Sequence, residues 1–97
     1  MKYVLSFSVL PGKNRQFWHF IDEQGRPFWQ KFEEVRSAQI YTSLGGPDFY
    51  EAYFELPDYA SFDRISHDPD FKDISEHFMS LVDNVHRKFL TEERKIV

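Results

Sequence analysis

Apolar and polar residues alternate at the start of the chain. Leu5, Phe7 and Val9 fall on one face of an extended stretch from Tyr3 to Leu10, with Val4, Ser6 and Ser8 on the other. That period of two predicts a strand, and Pro11-Gly12 ends it. From Asn14, read as an N-cap, the period changes. Phe17, Ile21, Gln24, Phe28, Phe32 and Val35 step by three or four residues along one helical stripe. Gly25 and Pro27 interrupt it without breaking its phase. One kinked helix fits, as do two helices meeting at Arg26 with Pro27 in a first turn.

Two further strands are predicted, from Ala38 to Leu44 and from Phe49 to Leu56, joined as a hairpin by Gly45-Gly46-Pro47-Asp48. Ala38, Ile40 and Leu44 share one face, as do Tyr50, Ala52, Phe54 and Leu56. Pro57 closes the hairpin, and Asp58 is placed to cap a short helix carrying Phe62 and Ile65. Asp68 then fits an N-cap and Pro69 a first helical position. The stripe Phe71, Ile74, Phe78, Leu81, Val85 and Phe89 predicts one long second helix. Thr91 to Val97 is charged and ends in Ile96-Val97, a short edge strand at most. Strand-helix-strand twice, with the middle strands as a hairpin, is the ferredoxin-like split βαβ order. It is an α+β class, an antiparallel sheet with two helices on one face. Right-handed crossovers put the first and third strands at the centre. An unrelated α+β meander is the alternative.

The length of 97 residues allows one domain, 1–97, with no room for a second core. Aromatic residues make up 19%, eleven of them Phe, which compensates for the thin margin of a small core. A net charge of −4 without a Lys/Arg cluster argues against a nucleic-acid groove or an anionic membrane surface. The chain has no cysteine, so it has no disulfide, thiol nucleophile or Cys-based metal site. No apolar run approaches the ~20 residues needed to span a bilayer. The chain enters a strand directly, without a basic leader or cleavage site, so the expected location is cytoplasmic.

The punctuation of the chain resembles a known superfamily. Pro11-Gly12-Lys13 before a long aromatic helix resembles the opening of the dimeric α/β-barrel proteins. Gly45-Gly46-Pro47, Tyr53-Phe54-Glu55, Tyr59-Ala60-Ser61-Phe62 and His67-Asp68-Pro69-Asp70-Phe71 resemble their second half. The likeness is nearest to NIPSNAP-like proteins, with antibiotic-biosynthesis-monooxygenase relatives next. It implies a ferredoxin-like subunit whose open sheet face packs on that of a second copy. It admits cofactor-free monooxygenases, haem-degrading enzymes, isomerases and ligand-sensing modules. In haem-degrading relatives a His, a Trp and an Asn hold or surround the iron. The matching positions here are Ser75, Ile65 and Phe7, all departures, so that mechanism is not expected.

Candidate chemistry follows from the faces. The helix-facing side carries Tyr3, Leu5, Phe7, Ile40, Ala52 and Phe54 and is expected to be packed core. Trp18 and Trp29 share one flank of the first helix, suited to boundary packing or to lining a cleft. The other side carries Ser6, Ser8, Tyr41, Glu51 and Tyr53. A dimer would enclose it, desolvating Glu51 and suiting it to act as an acid or base. The alternative is a wet interface with no ligand. His19 is expected to face solvent. His77 and His86 are expected on opposite flanks of the second helix, where they cannot share a metal. The expected catalytic candidates are therefore Glu51, Tyr53 and His77, and the ligand-contact candidates Trp18, Tyr41 and Tyr3. No metal site or cofactor is expected. The expected partners are a second copy and a small molecule, with no nucleic acid or membrane. Two functions fit: a binding or interaction module, and a cofactor-independent monooxygenase or isomerase acting on an aromatic or polyketide-like substrate. The second needs an apolar pocket of about 300 Å³ or more between helices and sheet with polar groups converging on it, and a filled core there would sink it.

Overall fold

The computed structural model describes residues 1–44 and 49–97. The turn expected at Gly45-Gly46-Pro47-Asp48 lies outside the described residues. The first strand, β1 (Lys2–Val9), leads into a turn where Gly12 takes φ 77°, a left-handed conformation without penalty only for glycine. The next helix, α1 (Asn14–Phe20), has Lys13 at its cap position, so Asn14 is a helical residue and not the expected N-cap. It runs into one wide π-helical turn, Ile21–Gly25, and then into α2 (Arg26–Gln30) with Pro27 in the first turn. The Arg26 N–H donates to the Ile21 carbonyl, five residues back. Proline has no N–H to close an ordinary turn, and the helix widens just before it. The extra residue rotates the stripe. Phe20, Gly25 and Phe28 are buried, while Gln24, expected on the apolar stripe, is exposed.

The strands β2 (Ser37–Thr42) and β3 (Phe49–Glu55) pair antiparallel, with Ile40 opposite Ala52. The sheet is completed by β4 (Val82–Leu90), in the order β2-β3-β1-β4, antiparallel throughout. The first and third strands are central, as the crossover rule requires. Two helices, α3 (Tyr59–Ser66) and α4 (Phe71–Met79), lie between β3 and β4 in the chain. Phe7, Phe17, Leu56 and Ile65 are fully buried between this helical layer and the sheet. Among the described residues, no helix lies on the opposite sheet face.

The fourth strand overturns part of the sequence reading. The helix predicted through Phe89 stops at Met79, and Val82–Leu90 is the edge strand. Thr91–Val97, offered as that strand, is exposed and irregular. The helical spacing arose from a bulge. Ser6 pairs with His86 but Ser8 with Asp83, so β4 carries one extra residue opposite Phe7. Asn84 absorbs it at φ 54°, a region Asn tolerates. The bulge puts Val82, Val85 and Phe89 on one side of a strand at intervals of three and four. Ser80 ends α4: its Oγ donates to the His77 carbonyl at 2.6 Å.

The caps were partly legible. Asp58 caps α3, accepting from the Ser61 N–H and Oγ, each at 2.9 Å. Asp68 does not cap α4. Its Oδ1 accepts from the Asp70 N–H at 2.9 Å, a local turn that delays the helix to Phe71 and leaves Asp70 at the N-cap. Both carboxyls sit below the ordinary 3.8. The leading cause is the backbone N–H each accepts, from Ser61 for Asp58 and from Asp70 for Asp68. A lowered folded pKa gives stability that is present above the unfolded value and is lost as pH falls toward the folded value. Thermal midpoints are therefore expected to drop as pH falls below 3.8. Asp58→Ala should lower the midpoint at neutral pH and flatten that acid limb, whereas Asp58→Asn, which still caps, should lower it less. An unchanged acid limb in Asp58→Ala would rule Asp58 out as a source.

Candidate functional site

The helix-facing side is not fully packed. A cavity of about 700 Å³ opens between the helical layer and the sheet. Its floor includes Tyr3, Leu5, Phe7, Ile40, Ala52 and Phe54, the face expected to be plain core. The physical reason lies in side-chain size and cover. Ala38 and Ala52 are small, and Ala38, on the edge strand, is exposed. Two short helical runs cannot cover four strands to the same depth.

The walls are aromatic. Trp18 on α1 stands edge-on to Tyr50, ring centres 5.5 Å apart, and Trp29 on α2 lies 4.2 Å from Phe54. Both tryptophans line the cavity, so their shared flank was the usable sequence signal. From α4, Ile74, Ser75 and Phe78 line the same cavity. Two contacts join the first helical run to the second. His77 Nδ1 donates to Gln24 Oε1 at 3.0 Å, and Lys31 Nζ donates to Asp68 and Asp70 at 3.1 and 3.2 Å. Polar groups are few. Tyr3 is buried, which raises its phenol above the ordinary 10.0, against a lowering by the Arg87 guanidinium. It is a neutral hydrogen-bonding group at physiological pH. Asp22, Arg26 and Arg36 also line the cavity. No periodicity in the sequence marks these three as cavity residues.

The open sheet face holds a shallow depression of about 420 Å³ lined by Lys2, Gln39, Tyr41, Glu51, Tyr53 and Glu55. Glu51 accepts from Ser6 Oγ at 3.2 Å, and the Tyr41 and Tyr53 rings meet edge-on at 5.4 Å. Pairing aligns Tyr41, Glu51, Ser6 and His86 as one row across all four strands. His86 is thus a strand residue on this face, not a helical one. Tyr3 and Trp18 come together in the cleft, and Glu51, Tyr53 and Tyr41 on the opposite face. His77 lines neither cavity; its ring packs edge-on to Phe20 at 4.7 Å. His19 is exposed, as expected. Among the described residues, no three His, Asp or Glu side chains are grouped to hold a metal ion, and no helix is long and apolar enough to cross a membrane.

No protein-family model matches the chain, and no curated protein matches it. Solved structures do. SnoaB, a cofactor-independent oxygenase from Streptomyces nogalater, superposes with a TM-score of 0.84 at 14% identity, over 98% of this chain and 94% of that one. A conserved protein from Methanosarcina mazei gives 0.78 at 20% identity, over 90% and 86%. An uncharacterized NIPSNAP domain protein from Burkholderia xenovorans gives 0.71 at 15% identity, over 94% and 92%. At these identities the likeness is one of fold: the chain has a ferredoxin-like α+β fold, which it shares with an oxygenase and a NIPSNAP domain protein.

Proposed function

We propose that the protein binds a small aromatic molecule in the cleft between its helices and its sheet, and that it does so as a homodimer joined through the open sheet faces. The cavity of about 700 Å³ carries the first part. It falls within the ~300–1,000 Å³ usual for ligand sites and has the usual make-up, apolar walls with a few polar groups. Trp18 and Trp29 offer flat faces for ring stacking. The test is a thermal-shift and tryptophan-quenching screen against hydroxylated and polycyclic aromatics. A ligand that binds the native state must raise its melting temperature. Quenching together with a raised midpoint is expected; a panel that produces neither would remove this reading.

A second reading is cofactor-independent oxygenation, or isomerisation, of that ligand. The fold likeness to SnoaB and the open cleft favour it. In such an oxygenation the substrate, once deprotonated, supplies the electrons to dioxygen. Oxygen uptake that depends on a ligand found in the screen is the check.

The dimer is supported by the uncovered sheet face, where Tyr41 and Phe49 are exposed. A stable two-fold interface there should bury at least ~1,200 Å². Light scattering at micromolar concentration is expected to give twice the chain mass. Glu51 would then be enclosed with Tyr53 and Ser6. Glu51→Gln keeps the shape and removes a charge that is costly to desolvate. It should leave the dimer intact and raise its stability by about 1 kcal/mol near neutral pH, while removing any acid-base role. A monomeric or strongly destabilised Glu51→Gln would show instead that the carboxylate is charged and paired across the interface.

A further inference from the structure

We infer that the cleft selects an anion: an aromatic acid whose negative group is read by Arg36. This rests on the cleft being the ligand site and adds the charge of the ligand. The observation is the balance of charges around the opening. The charged residues lining the cavity are Asp22, Arg26 and Arg36. Arg26 is already satisfied, because its guanidinium donates to Asp22 Oδ1 at 3.0 Å. Arg36 is different. Among the described residues its guanidinium has no ion pair or hydrogen bond, and its backbone N–H is engaged separately with the Glu55 carbonyl at 2.9 Å. Glu34, near it in sequence, faces Arg64 at 3.6 Å. The cavity is therefore lined by one uncompensated positive charge, in a chain whose net charge is −4.

The position of Arg36 suits that role. It immediately precedes β2, whose Ala38 and Ile40 line the same cavity. A ligand with its ring system against Trp29 and Phe54 would extend toward this strand. A guanidinium is planar, stays charged at every relevant pH and binds a carboxylate with two parallel hydrogen bonds. Next to apolar walls such a pair is stronger than in open water, although an exposed arginine retains only part of that gain. The chemistry recognised is a carboxylate or an ionised phenol or enol on an aromatic body.

The test uses two probes of one shape, 2-naphthoate and 2-naphthamide, titrated into the intact protein and followed by tryptophan quenching. The wild type should prefer the acid by about tenfold, and added salt should narrow that margin. Arg36→Gln should abolish the preference while holding the amide within about twofold of wild type, and Arg36→Glu should make the amide the better ligand. Arg36→Lys, keeping charge without the fork, should fall between. Arg15→Gln removes the same charge from an exposed part of α1 outside the cavity and should keep the preference. If both probes bind the wild type equally, or Arg36→Gln keeps the preference, the anion inference is overturned and the cleft reading survives. If neither probe quenches fluorescence or raises the melting temperature, both are overturned.

Discussion

Phe7→Ala should cost about 3–5 kcal/mol of folding stability, measured by urea unfolding. Phe7 sits near the middle of the central strand β1 and is 1% exposed. Its ring centre lies 5.1 Å from Phe78 in an edge-on pair, 5.5 Å from Phe17 and 5.9 Å from Tyr50. Truncation removes three aromatic contacts at once and joins sheet, α1 and α4 less firmly. A domain of this size has only roughly 5–15 kcal/mol in total, so a large share is lost. The void opens toward the existing cleft, so water can enter it, which favours the lower part of the range. Phe7→Leu keeps most of the volume and should cost less than about 1.5 kcal/mol. The slope of the unfolding curve should stay unchanged, since the surface exposed is nearly the same. A Phe7→Ala loss below about 1 kcal/mol would show that the ring is a cleft lining and not a support of the fold.

The contrast between Phe7 and Ala38 shows where sequence reading stops. Alternation around Phe7 identified its strand, its face and its helical cover, all of which the structure bears out. Asp58 declared the start of α3 in the same way, because a cap is a local hydrogen bond. Periodicity reports which side of a strand faces a layer. It does not report how closely that layer approaches. The cleft depends on that distance, so a face rich in Phe and Ile read as solid core. The small side chains of Ala38 and Ala52, on neighbouring strands of that face, were the one local hint of space. The error in β4 has a different origin. A bulge inserts one residue into a period of two, and the resulting intervals of three and four imitate a helix. Asn84, at home in the left-handed region, and the β-branched Val82 and Val85 mark the strand once the bulge is known. The π turn before Pro27 likewise shifts a phase that counting assumes constant.

Ser75→Trp should abolish ligand binding in the cleft while the fold survives. Ser75 lies on α4 and lines the cavity that Trp18, Trp29, Ile74 and Phe78 also line. It is half-buried, so the position borders open space and not packed core. Ser and Trp have similar helix propensities, and α4 itself should tolerate the exchange. The indole would occupy volume that a ring-shaped ligand needs. A ligand identified by the thermal-shift screen should then bind at least about 100-fold more weakly, roughly 2.8 kcal/mol. The melting temperature without ligand should stay near the wild-type value or rise, because added apolar surface fills a void. Glu76→Trp adds the same indole one residue further, at an exposed position outside the cavity, and should leave binding unchanged. The pair separates site from surface. If Ser75→Trp folds and binds as the wild type does, the ligand sits elsewhere. The depression around Glu51, Tyr41 and Tyr53 on the open sheet face then becomes the place to look.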